Sequence, residues 1–140
     1  MADPFNLQRF LDAQEHDYGS VLEELTAGRK TSHWIWYIFP QIRGLGSSFM
    51  AQDFAITSLE EAIAYLQHPT LGPRLRTCTE LVNAINTHSA EDIFGYPDHL
   101  KFHSSLTLFA RADPADRVFQ TALAKFYGGR SDPLTIKQLS

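Results

Sequence analysis

Three aspartate–proline pairs, Asp3-Pro4, Asp113-Pro114 and Asp132-Pro133, constrain this chain more than any other feature. An aspartate carboxylate accepts hydrogen bonds from the free amides of a helix's first turn, and a proline at the first helical position has no amide to satisfy. Each pair therefore marks a helix start. Ser58-Leu59-Glu60-Glu61 has the spacing of a capping box, in which the serine hydroxyl and the glutamate carboxylate satisfy each other's amides. Ser89-Ala90-Glu91-Asp92 opens a shorter helical turn. Stop signals complement these starts, with Gly28 after one apolar stripe and Gly128-Gly129 after another.

Apolar spacing agrees with this punctuation. Tyr18, Val21, Leu22 and Leu25 recur at i, i+3, i+4 and i+7. Leu71, Leu75, Cys78, Val82 and Ile85 form a second stripe, and Ala115, Val118, Phe119, Ala122, Leu123 and Phe126 a third. No segment alternates apolar and polar over more than about five residues, so strands have little to rest on. The run Trp34–Phe39 is the only β-like one, but Ser32 as a cap and Pro40 as a terminator suit a short buried helix equally. Helices are expected near 4–16, 18–27, 32–38, 48–56, 59–67, 71–86, 97–110, 114–127 and 133–139. The expected fold is all-α: a single compact, irregular multi-helix domain over residues 1–140.

Composition narrows the function classes. A net charge of −4 disfavours nucleic acid as a partner, since phosphate binding needs a basic footprint. The lone Cys78 allows neither an internal disulfide nor a cysteine zinc cage, and it fits a reducing, cytoplasmic setting. The opening MADPFNLQRF lacks the pattern of a signal peptide, and no apolar run approaches the ~20 residues that span a bilayer. No cofactor is implied, and nothing in the composition separates a monomer from a symmetric dimer.

The stretch Ser32–Ser48, SHWIWYIFPQIRGLGSS, concentrates both tryptophans with Tyr37, Phe39 and a few polar groups. Rings with polar edges line small-molecule pockets, and the same residues also make a core segment ending in a turn. His33 is a candidate acid, base or hydrogen-bond donor, because imidazole titrates near neutrality. The alternative is a histidine at a helix start, bonded to a backbone carbonyl. Trp36 and Phe39 lie three apart and share a helix face, as pocket walls or as core. Gln41, beside so many rings, needs a polar partner. Gly44–Ser48 reads as an ordinary turn into a helix, lacking the lysine of a phosphate-binding loop.

A second segment, Lys101-Phe102-His103-Ser104-Ser105-Leu106-Thr107, puts Lys101, Ser104 and Ser105 on one helix face and His103 with Thr107 on another. Lys101 and Ser104 are candidates for holding an anion or stabilising developing charge; the plainer reading is hydroxyls bonded back to the preceding turn. Arg130, in the turn after Gly129, is placed to clamp an anion or pair with a neighbouring helix, and Asp132 to cap. His99 and His103 stand at i, i+4, but no third metal ligand and no HExxH signature accompany them, so no metal site is expected.

The blocks DPFNLQRFLDAQ, AGRKTSHWIWYIFPQIRGLG, MAQDFAITSLEEAIAYLQHPTLGPRL, IFG, KFHSSLTLF and FYGGRSDPLT, in this order, resemble the family labelled domain of unknown function 1810. The resemblance spans nearly the whole chain. It implies a small all-helical cytosolic protein of bacterial type, with no characterised activity and no established catalytic residues. A weaker likeness, in AYLQHPTLGPRLRTCTELV followed by EDIFG, is to helical domains that process ADP-ribose-linked nucleotides.

Three readings of function follow. The first is a small, anionic or nucleotide-like ligand bound in an aromatic-lined pocket between residues 33–46 and 101–109. Trp36 and Phe39 would stack on it, His33 and Gln41 would read its polar edges, and Lys101 or Arg130 would hold its charge. The second is a hydrolase or glycosidase acting on a nucleotide derivative at the same place, with His33 as acid or base and Lys101 and Ser104 stabilising charge. The third is an interaction module whose exposed aromatics contact another protein.

Overall fold

A computed structural model describes residues 3–140, and these form nine helices and no strand: α1 (Gln8–Ala27), α2 (Ile35–Ile38), α3 (Phe49–Asp53), α4 (Leu59–Gln67), α5 (Leu71–Asn83), α6 (Ala90–Phe94), α7 (Asp98–Ala112), α8 (Arg117–Tyr127) and α9 (Pro133–Leu139). The fold is all-α. The expected helices 4–16 and 18–27 are one continuous α1. Gly19 sits on its open side, where an added Cβ would meet nothing within 4 Å. An interior glycine costs about 1 kcal/mol relative to alanine, too little to break a helix that buries Phe10, Gln14, Val21 and Leu25.

The caps act slightly downstream of where proline suggests. Asp3 accepts from the amides of Leu7 at 2.8 Å and Gln8 at 3.0 Å, so α1 begins after a lead-in turn. Asp116, not Asp113, caps α8, accepting from Val118 at 3.1 Å. Asp132-Pro133 opens α9 as read, with Pro133 its first residue. Ser58 accepts from the Glu61 amide at 3.1 Å, but the Glu61 carboxylate turns instead to the Thr57 amide, the Thr57 hydroxyl and Arg9. The reciprocal box forms at Ser89 and Asp92.

Trp34–Phe39 resolves as helix, but only Ile35–Ile38 is helical. This turn is held from outside. Glu24 of α1 accepts from the amides of Thr31 at 2.7 Å and Ser32 at 2.9 Å and from the Trp34 indole at 3.0 Å. Lys30 pairs with Asp98 of α7 at 2.6 Å while lying over the Trp34 ring at 5.1 Å. The segment before α2 is thus tied to two helices. Beyond α2, the Ile56 amide donates to Gln41 O and the Arg43 amide to Ile56 O, both at 2.8 Å. That short parallel bridge fixes the loop carrying Gln41.

The core gathers around α7, whose residues 104–109 are all buried. Phe39 packs against Phe102 at 4.8 Å and Phe94 at 5.8 Å between ring centres, with Trp34 beyond. Helices α4 and α5 meet at Gly72, where a Cβ would lie 2.1 Å from Leu66 O. Only glycine permits that approach. A buried polar knot joins α1 to α2, α4 and α5: the Gln14 amide donates to Tyr37 O at 2.7 Å and Tyr65 Oη at 3.2 Å and accepts from Arg74 at 3.2 Å.

Burial pushes the Glu24 carboxyl up, but its three donors and the Ser32 side chain together outweigh burial and hold it at about 2, below the usual 4.5. A depressed folded-state pKa stabilises the fold above the unfolded value and loses that contribution as pH falls through the folded one. We expect wild-type stability to decline between about pH 4.5 and 2, and Glu24→Gln to be less stable at pH 7 with the gap closing across that window. Urea unfolding of both proteins as a function of pH checks this; a gap constant with pH contradicts it.

Candidate functional site

A cavity of about 320 Å³ opens between the loop 41–46, α7 and the start of α9. Its apolar wall is Leu45, Pro97, Leu100 and Leu134; its polar groups are Gln41, Lys101, His103, Ser104 and Asp132. Leu100 is 48 % and Leu134 61 % exposed, and Tyr96, next to Pro97, is 75 % exposed. Three of the four large hydrophobic side chains exposed among the described residues therefore stand at or beside this mouth.

The polar wall is built by α7. Lys101 and Ser104 are one turn apart on one face, as the sequence spacing predicts. Lys101 Nζ lies 3.4 Å from Asp98, a loose contact, because Asp98 is already paired with Lys30 at 2.6 Å. It also lies 5.1 Å over the Trp36 ring. Ser104 Oγ is 2.7 Å from Asp132 Oδ2 and 3.1 Å from Leu100 O. With one proton to give, the hydroxyl favours the shorter, charge-assisted bond. Thr135 also donates to Asp132 Oδ2, at 2.6 Å, and Thr107 Oγ1 accepts from the Asp132 amide at 2.9 Å. The His103 Nε2 meets Arg130 O at 2.7 Å, and its ring stacks on Tyr127 at 4.0 Å, nearly parallel.

The structure brings together three of the residues singled out from sequence: Gln41, Lys101 and Ser104. It does not bring the others. Phe39 is fully buried among Trp34, Phe94 and Phe102 and belongs to the core. Trp36 lies behind Lys101, its indole nitrogen buried without a hydrogen-bond partner. His33 is exposed and lies outside the cavity wall. Arg130 contributes its carbonyl to His103 and does not line the cavity. The wall holds no Trp, Phe or Tyr, so the aromatic lining expected from sequence is replaced by leucines and a proline. Phe39 is drawn fully into the core and Trp36 partly so, because burying a large ring removes much apolar surface from water.

His103 and Asp132 are the site residues sequence reasoning passed over. Asp132 reads as a cap and does stand at the start of α9, but its carboxylate accepts from the Ser104 and Thr135 hydroxyls and from no amide of the helix; that it faces a cavity depends on how α9 returns against α7. His99 and His103 are both turned to carbonyls, and no group of three metal-capable side chains occurs among the described residues. Cys78 is buried, and that burial pushes its thiol up to about 12, which leaves it unreactive. A larger cavity, about 470 Å³, lies between Gly28 and Gly95 with Arg29, Glu91 and Asp92 on its wall. Its lysine, Lys30, is committed to Asp98, and none of the exposed large hydrophobics lines it.

Fold and cavity together define a small all-helical protein with a polar-walled, apolar-rimmed pocket. The chain belongs to the family described as protein of unknown function (DUF1810), which it matches over residues 4–139. It is similar to the conserved hypothetical protein Rv1873 from Mycobacterium tuberculosis, known from its crystal structure, with 58% identity, 98% of each chain covered and a TM-score of 0.97. No curated protein matches it.

The reassignment of Phe39 is testable by stability alone. Truncating a fully buried phenylalanine removes roughly 3–5 kcal/mol. We expect Phe39→Ala to lose an amount in that range in urea unfolding; a loss below about 1 kcal/mol would return the ring to a pocket wall.

Proposed function

We propose that this protein binds a small organic molecule bearing an anionic group and an aliphatic part, in the cavity between the loop 41–46, α7 and α9. The observation that carries this is the convergence of Lys101, Gln41 and Ser104 on one concavity whose rim holds the exposed leucines. Lys101 is the counter-charge. Its bond to Asp98 is long, its partner is already neutralised by Lys30, and a ligand carboxylate or phosphate offers a better contact. Leu45, Leu100 and Leu134 cover the aliphatic part, and the side-chain amide of Gln41, which lines the cavity, reads a polar edge.

Ser104 is a positioning residue in this reading. Its hydroxyl is buried and spent on Asp132, and it orients that carboxylate toward the cavity. The wall holds no Trp, Phe or Tyr for the flat base of a nucleotide to stack on, which favours a smaller, aliphatic ligand. The protein is read as a single domain with this pocket at the seam of three elements.

Thermal unfolding against small carboxylates, free amino acids, sugar phosphates and nucleotides tests the proposal. A site saturated at a hundredfold excess over Kd stabilises by about 2.7 kcal/mol, or several degrees. We expect stabilisation by members with an aliphatic part and a carboxylate, and its loss in Lys101→Ala, whose own melting point shifts little because partly exposed ion pairs contribute about 0–1 kcal/mol. Stabilisation surviving in Lys101→Ala, or no response to any member, contradicts the proposal.

A further inference from the structure

We infer that the ligand is a zwitterion, carrying an ammonium group for Asp132 as well as a carboxylate for Lys101, and an apolar side chain: the chemistry of a small aliphatic amino acid. This rests on the cavity reading above and goes beyond it. The starting point is the state of Asp132. Its Oδ2 accepts from both Ser104 and Thr135, and its amide donates to Thr107, so its position is locked by three hydrogen bonds. Its Oδ1 accepts none among the described residues, and no lysine, arginine or histidine there lies within ion-pair distance. The protein thus holds a carboxylate rigidly at the cavity wall and leaves its charge uncompensated.

On the same wall, one helical turn before Ser104 on α7, Lys101 offers the opposite charge. A monoanion bound at Lys101 meets the repulsion of Asp132, and a simple amine bound at Asp132 meets that of Lys101. An α-amino acid satisfies both, since its ammonium and carboxylate sit on one carbon and its side chain projects to one side. The leucines at the mouth, with Pro97, supply a matching apolar surface. Gln41 can accept from the ammonium or donate to the carboxylate. The hydroxyls of Ser104 and Thr135, both bonded to the same oxygen, leave the other oxygen as the acceptor for a ligand N–H.

Isothermal titration of the full chain with L-leucine, isocaproate (the same molecule without its amino group) and isoamylamine (without its carboxylate) tests this. We expect L-leucine to bind at least tenfold tighter than either analogue. Asp132→Asn, which keeps an acceptor for the two hydroxyls, should bring L-leucine and isocaproate to within about twofold of each other. Isocaproate binding as tightly as L-leucine overturns the zwitterion and leaves the anion pocket standing. Isoamylamine binding as tightly as L-leucine also overturns it, because Lys101 then has no part. If no member binds although another carboxylate or phosphate stabilises the protein through Lys101, the amino-acid class is overturned alone; if nothing stabilises it, the pocket reading falls as well. Should Asp132→Asn fail to fold, the wild-type series alone decides the question.

Discussion

Helix α7 has no solvent along Ser104–Phe109, and a helix buried on every side must satisfy its own polar side chains. Three of its residues in that stretch are hydroxyls. Thr107 donates back to His103 O at 2.9 Å, Ser104 reaches Asp132, and Thr107 also accepts the Asp132 amide. Ser105 finds no partner. The demand for partners therefore reaches across to the start of α9 and draws Asp132 onto α7. The cavity lies beside that docking: Ser104 and Asp132, which make the contact, form part of its polar wall, and leucines and a proline form its apolar rim.

The other end of α7 is fixed by charge. Asp98 in its first turn binds Lys30 closely and Lys101 loosely, and the two lysines lie over Trp34 and Trp36 respectively. Lys30, almost fully buried, is structural: it holds the segment before α2 against α7. Lys101, one helical turn further on and a quarter exposed, is the cation with charge to spare. Of the two lysines on one aspartate, Lys30 is thus a staple, and Lys101 is the one we propose as a ligand contact.

Much of the fold was legible in the sequence because its signals are local. The Ser89 and Asp132 caps, the Gly28 and Gly128 stops and the stripe through Leu71, Leu75, Cys78 and Val82 all act within a few residues of themselves. The helices expected at 4–16 and 18–27 are one α1, and Gly19 within it faces open space, where a glycine weakens a helix without ending it. The site was half legible for a related reason. Lys101 and Ser104 announce a shared face by spacing, and Gln41 by standing as an amide after a run of rings. Phe39 stays open between pocket wall and core in the sequence, because an aromatic at a helix end looks the same whether it faces a pocket or Phe102. Asp132 was read only as a cap, since nothing within its own helix shows that α9 returns to α7. Burial and return of chain are tertiary facts that spacing does not carry.

We propose that ligand enters at the seam of the loop 41–46, α7 and α9. Mapping backbone amide shifts by NMR during titration with L-leucine, and separately with isocaproate, tests it most directly. We expect saturable shifts at Gly46, Lys101, Ser104 and Asp132, with Gly28, Glu91 and Gly95 around the larger cavity unmoved. Shifts centred on Gly28 and Gly95, or none with either compound at millimolar concentration, would contradict it.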